Sequence, residues 1–234
     1  MKKQKFDDFD PFATRYREEH TKNVQKVSGV DSDYFSEYKI KEIRGFEEHT
    51  RKLKILDLGC GDGNSAKYFL QHFMPEEYCG IDISSECIEL ACQRSLENSS
   101  FQTFDGEIIP FEDETFDLVF IANVLHHVDF SCHQQLLGEC LRVLKKEGRI
   151  YIFEHNPLNP VTRKIVKDCI FDADAKLVPS RYLRKLVHQV GFSKSSKRCT
   201  IFFPRKSFFL RLLPLEKHLY WCPLGGQYYL RCIK

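Results

Sequence analysis

Residues Ile55 to Leu70 read "ILDLGCGDGNSAKYFL": an apolar run, three glycines within five positions, then side chains at helical spacing. A glycine turn between a strand and a helix lets backbone come close to a ligand. The dinucleotide fingerprint GxGxxG would place its last glycine where this chain has Asn64; here the glycines are Gly59, Gly61 and Gly63. Two carboxylates, Asp57 and Asp62, stand in the same stretch. They would repel a pyrophosphate and suit a ligand that carries positive charge.

Outward from this turn, strand-like and helix-like segments alternate. "KLKILDLG" is an apolar strand candidate, and "NSAKYFLQHF" is a helix after an Asn cap. "EYCGIDI" reads as a second strand, and "SSECIELACQRSLE" as a helix opening on a serine cap. "SFQTF", "TFDLVFIAN", "CHQQLLGECLRVLK" and "GRIYIFEH" continue as strand, strand, helix and strand. The order predicts a parallel sheet covered by helices, with ligands beyond the carboxyl ends of the strands. In the tail, "PSRYLRKLVHQVGF" is a helix stopped by Gly191. "KRCTIFF" and "GGQYYLRCI" are late strands able to form an antiparallel edge.

The bulk numbers suit this reading. The chain has 234 residues, 42% hydrophobic and 29% charged, with a formal net charge of +2. That length is enough for one full core and short for two. Such a small net charge gives no strong pull toward nucleic acid. The N-terminus "MKKQKFDDFDPF" lacks the apolar middle of a signal peptide, and the ten cysteines include no CxxC, so reduced thiols and a cytoplasmic location are expected. "HHVDFSCH", with His126, His127, Cys132 and His133, matches no standard zinc spacing, and no metal is expected.

The ligand with the right charges is S-adenosylmethionine, which carries an ammonium and a sulfonium. Asp82, closing the second strand in "GIDIS", stands where a carboxylate can accept bonds from both hydroxyls of a ribose. Asp105, after the third strand, could accept the adenine amino proton beside the backbone of Gly106.

"LDLGCGDG", "GIDIS" and "FDLVFIANVLHHV…LRVLKKEGRIYI", in this order, resemble the motifs of class I S-adenosylmethionine-dependent methyltransferases. The resemblance runs from about Phe9 to Phe192. It implies an α/β, Rossmann-like fold: a seven-stranded, mostly parallel sheet with an antiparallel last strand and helices on both faces. It also implies that Asp57 and the turn Gly59, Cys60, Gly61, Asp62 and Gly63 hold the methionine portion. Asp82 and Ile83 would border the ribose, Asp105 and Gly106 the adenine, and Asn123 the reacting methyl. "FDPFATRYREEH" is similar to the family's N-terminal helix over the cofactor, with Phe9 and Tyr16 in the aromatic positions. A helix packing those aromatics on the core is the plain alternative. The expected organisation is one domain over 1–234: an N-terminal helical lid (1–50), a cofactor-binding core (51–156), and acceptor-side helices and last strands (157–234).

Candidates for acceptor chemistry follow the fourth and fifth strands: His126 or His127, then Glu154 and His155 in the proline-stiffened "EHNPLNP". The expected acceptor is a small molecule, a saccharide or a lipid-linked precursor, with no obligate protein partner. An RNA (tRNA) methyltransferase and a non-catalytic S-adenosylmethionine-binding protein are the alternatives; the first would need a basic groove. Near the C-terminus, Phe208, Phe209, Leu212 and Leu213, flanked by Arg205, Lys206 and Arg211, are either core or an apolar-basic lip. As a lip they would give peripheral membrane contact, with Arg205 and Lys206 meeting a phosphate.

Overall fold

Strands buried on both faces need unbroken apolar runs, and the two that border the glycine turn have them. A computed structural model describes residues 32–47, 52–169, 175–205 and 207–234. In it β1 (Lys54–Leu58) and β4 (Phe116–Ala122) are buried along almost their whole length. With β2 (Glu77–Asp82), β3 (Ser99–Thr103), β5 (Leu144–His155), β6 (Lys194–Thr200) and β7 (Gln227–Ile233) they form one seven-stranded sheet, ordered β3-β2-β1-β4-β5-β7-β6. β1 to β5 pair in parallel, whereas β7 runs antiparallel between β5 and β6. This is the expected α/β sheet, with the late hairpin as its edge.

Helices cover both faces. On one, α1 (Ser32–Arg44) and α2 (Asn64–Phe73) bury Ile40, Ile43, Ala66, Phe69 and Phe73 against Ile55, Phe120, Phe153 and Tyr229. On the other, α4 (His133–Val143) and α6 (Ser180–Val190) bury Leu137, Cys140, Leu183 and Val187 against Val119, Ile152 and Leu230. α3 (Ser85–Gln93) is capped by Ser84, whose side chain accepts from the Cys87 N–H. α5 (Pro160–Asp168) is capped by Asn159 and has proline in its first turn. The expected Asn cap of α2 is corrected: Gly63 is the cap residue, and the Asn64 amide donates instead to Ser36 Oγ at 3.0 Å. That bond ties α1 to α2. Phe9, Tyr16 and Lys206 lie outside the described residues.

The C-terminal apolar stretch also differs from expectation. Ser207–His218 is a 3-10 helix with Pro214 inside it, so its faces follow a three-residue repeat. Phe208 is exposed, while Phe209, Leu212 and Leu213 are half-buried. Arg205 turns inward rather than toward a phosphate. It pairs with Glu216 at 2.8 Å, with both side chains buried, and its Nε donates to Tyr34 on α1 at 2.7 Å. Glu216 also accepts the Phe202 and Phe203 N–H groups. The guanidinium thus neutralises the carboxylate that organises this turn.

Removing one partner of a buried pair strands the other charge. Arg205→Met is expected to lower stability by about 3 kcal/mol, read as a shifted midpoint in urea unfolding. An unchanged midpoint would mean that this clamp contributes nothing.

Candidate functional site

The glycine turn is built by main-chain bonds to the neighbouring strand. Gly59 and Cys60 both donate to the Ile81 carbonyl, at 2.8 and 3.1 Å, and Gly63 donates to Cys60 O at 3.0 Å. Gly59, Gly61 and Gly63 have φ of +75°, +53° and +73°, a region that L side chains rarely adopt. A Cβ on Gly59 would overlap the Val124 methyls, so the turn after β1 touches the turn after β4. A Cβ on Gly61 would meet nothing within 4 Å. The backbone there faces open space.

Three of the expected carboxylates have distinct surroundings. Asp57 is buried and accepts from Tyr78 Oη at 2.5 Å. Burial pushes its carboxyl up to about 7, against the opposing pull of the Tyr78 bond. Asp82 accepts from Gly61 N at 2.8 Å and from Ser84 N at 3.0 Å, so one carboxylate joins the turn to the start of α3. Asp62 points elsewhere: its carboxylate pairs with Arg94 at 2.7 Å. The carboxyl groups bonded at the strand ends beneath the turn are therefore Asp57 and Asp82. Cys60 lies buried beneath the turn, its thiol pushed well up by desolvation.

Beyond β2, Ile83 comes next to Gly106, whose added Cβ would lie 3.4 Å from the Ile83 side chain. Asp105 is exposed and accepts the N–H groups of Glu107 and Ile108 at 2.8 Å each. Those donors, Ile108 foremost, hold its carboxyl below the usual range. Ile83, Asp105 and Gly106 thus line one side of the same sheet edge.

At the end of β4, Asn123 has a φ of +59° and donates its N–H to Phe153 O at 2.9 Å. Its side-chain oxygen is buried without a hydrogen-bond partner. The chain then turns through a short 3-10 helix, Leu125–His127, held from β5. Glu154, fully buried, accepts from Leu125 N at 2.9 Å and bonds His126 Nδ1 at 2.7 Å. Both its oxygens serve the β4 turn, so Glu154 orients this segment. His127 and His155 are half-buried, and the His126 ring lies 4.2 Å from that of His127 and 5.3 Å from that of His155, centroid to centroid. His133 is bonded to the Leu125 and Val128 carbonyls and to Tyr182. Among the described residues no group of three or more His, Cys, Asp or Glu could hold a metal ion.

Lys39 was not among the sequence candidates. It sits on α1, 5% exposed, where burial lowers its ammonium to about 8 while Glu154 and Asp57 pull it back up. No local pattern marks it, because its partners are carboxylates at the ends of β1 and β5. The set can receive S-adenosylmethionine. It offers open space above Gly61 and carboxyl groups at Asp57 and Asp82 beside the turn.

Comparison with known proteins agrees with this fold. Residues 56–152 match the methyltransferase domain family. Over 163 residues, 68% of the chain, it is 32% identical to the methyltransferase YcgJ of Bacillus subtilis (strain 168), and over 106 residues, 45% of the chain, 36% identical to the demethylmenaquinone methyltransferase of Thermotoga maritima. The chain spans 58% and 45% of the lengths of those two proteins. The crystal structure of an S-adenosylmethionine-dependent methyltransferase from Thermotoga maritima superposes with a TM-score of 0.69 at 18% identity, covering 97% of this chain and 98% of that one. At that identity the likeness speaks for fold alone. With the glycine turn, the acidic end of β2 and the 3-2-1-4-5-7-6 strand order in place, the chain belongs to the class I S-adenosylmethionine-dependent methyltransferase family.

Proposed function

We propose that this chain binds S-adenosylmethionine over its glycine turn and transfers the methyl group to an apolar small-molecule or lipid-linked acceptor. The observation that carries the reading is the open space above Gly61, whose N–H is held by the Asp82 carboxylate at the end of β2. Bound there, the cofactor supplies an electrophilic methyl on sulfur. Asp57 and Asn123 accept from the ammonium, Asp82 from the ribose, and Asp105 with Gly106 and Ile83 borders the adenine. Gly59, Cys60 and Gly63 keep the turn's backbone at the distance this requires. Asp62 contributes through its pair with Arg94, which steadies the turn.

In-line transfer depends mainly on orientation and exclusion of water. His127 and His155, half-buried around the His126 ring at the ends of β4 and β5, are the side chains we assign to touching an acceptor or taking its proton. Glu154 acts through His126 as a positioning residue. The name of the Thermotoga maritima relative, a demethylmenaquinone methyltransferase, supports an apolar small molecule as the acceptor class.

Calorimetry with S-adenosylmethionine is expected to show binding, and NAD none. Asp82→Asn should weaken the cofactor by about 1–3 kcal/mol through lost charge-assisted bonds. Tight NAD binding, or an unaltered variant, would overturn the reading.

The Asp57 carboxyl gives a pH signature. With that group raised to about 7, the free protein is expected to carry its proton at pH 6. An ammonium placed beside it favours the ionised form, so binding at pH 6 should release close to one proton, and progressively less as pH rises through 7. Buffers of different ionisation enthalpy read that release, and Asp57→Asn should abolish it.

For the acceptor side, labelled methyl transfer into a lipid extract is the assay. His155→Ala and Glu154→Gln should each lower turnover by about 100-fold or more, with cofactor affinity nearly unchanged. Full turnover in both would make this loop a purely structural one.

A further inference from the structure

β5 ends at His155, and the chain leaves the sheet through a loop whose outward side chains are apolar. Leu158 is 61% exposed and Val161 53%. Opposite them runs the segment before β7, where Trp221 is 76% and Leu224 58% exposed. The two stretches are bonded into one surface. Asn159 Nδ2 donates to Leu224 O at 2.7 Å, Asn156 Nδ2 to the Pro223 and Gly225 carbonyls at 2.7 Å each, and Thr162 Oγ1 to Gly226 O at 2.9 Å. Their backbones are held, yet their large apolar side chains face solvent, at a cost in hydration that a soluble surface normally avoids when such residues cluster.

Among the described residues of these two stretches the exposed charges are one-sided. α5 turns Thr162 and Val166 inward and leaves Arg163, Lys164 and Lys167 exposed. The neighbouring 3-10 helix exposes Arg211 and Lys217. Among the described residues of 158–169 and 207–224, the exposed acid is Asp168, because Glu216 is buried against Arg205. Exposed Trp and Leu within a lysine-rich surround suit an anionic lipid interface. Lysine is depleted where proteins bind proteins, which disfavours a protein partner.

We propose that the face formed by Leu158, Val161, Trp221 and Leu224, with the cations of α5, docks on an anionic phospholipid bilayer. This places the bilayer beside the carboxyl end of β5, at the edge where His155 stands. Among the described residues no helix is long and apolar enough to cross a membrane, so the contact is with the surface. The inference rests on surface chemistry and does not depend on the methyl-transfer reading.

The chain has a single tryptophan, Trp221, inside the proposed face. Its emission should shift to the blue on adding phosphatidylglycerol-containing vesicles at low salt, and brominated acyl chains should quench it. Phosphatidylcholine vesicles should do neither. Replacing Arg163, Lys164 and Lys167 together by Ser should weaken binding about 100-fold, at roughly a fivefold loss per cation near the surface. Leu158→Ser with Leu224→Ser should weaken it too, read by sedimentation with the vesicles, while unfolding midpoints stay unchanged. Absence of any shift with anionic vesicles would overturn the proposal, as would binding indifferent to both sets of substitutions. Dimerisation through this face without vesicle binding would assign it to a second copy of the chain instead. Calorimetric binding of S-adenosylmethionine in the same preparations keeps this outcome separate from that of the cofactor site.

Discussion

Two N–H groups converging on one carbonyl, Gly59 and Cys60 on Ile81, hold the turn on which the site is built. They can do so because β1 and β2 pair in parallel, with Leu58 beside Ile81, and because Gly59 tolerates a left-handed backbone. Asp82 then takes the Gly61 N–H, so the turn cannot lift away from β2. On the other flank, Val124 packs where a side chain on Gly59 would be. The three strand ends, β2, β1 and β4, are thereby locked at one height, and the open space lies above them.

Buried charge is the second constraint. Asp57, Lys39 and Glu154 are each at most 5% exposed, and an isolated charge in such surroundings would cost several kcal/mol. Each is compensated differently. Tyr78 donates to Asp57, Leu125 and His126 satisfy Glu154, and Lys39 feels both carboxylates. Helix α1 is therefore more than a cover over apolar surface. It brings a cation to the strand ends, and it is anchored by Arg205 to Tyr34 and by Tyr220 and Tyr229 to Glu42.

The sheet edge separates two kinds of surface. Toward β1 and β2 it is acidic, glycine-rich and shaped by main-chain bonds. Toward β5 and β7 it is histidine-rich, then apolar and basic. One chain can thus meet a charged, polar ligand and an apolar one from neighbouring parts of the same edge, because parallel strands deliver all their carboxyl ends to one side.

Much of this was legible in the chain itself. The alternation of elements, the antiparallel late hairpin, the Ser84 cap and the stop at Gly191 all follow from local periodicity and local backbone preference. So does the glycine turn, since positive φ at Gly59, Gly61 and Gly63 is a demand on single residues. Which charges find which partners was not legible. Asp62 pairs with Arg94, Arg205 bonds Tyr34 across 171 positions, Glu154 serves the β4 turn, and Lys39 is buried between strand ends. Residue type declares that a charge is present. Its partner is set only when packing brings distant segments together and removes water, since long side chains reach in many directions and burial decides which contact is retained.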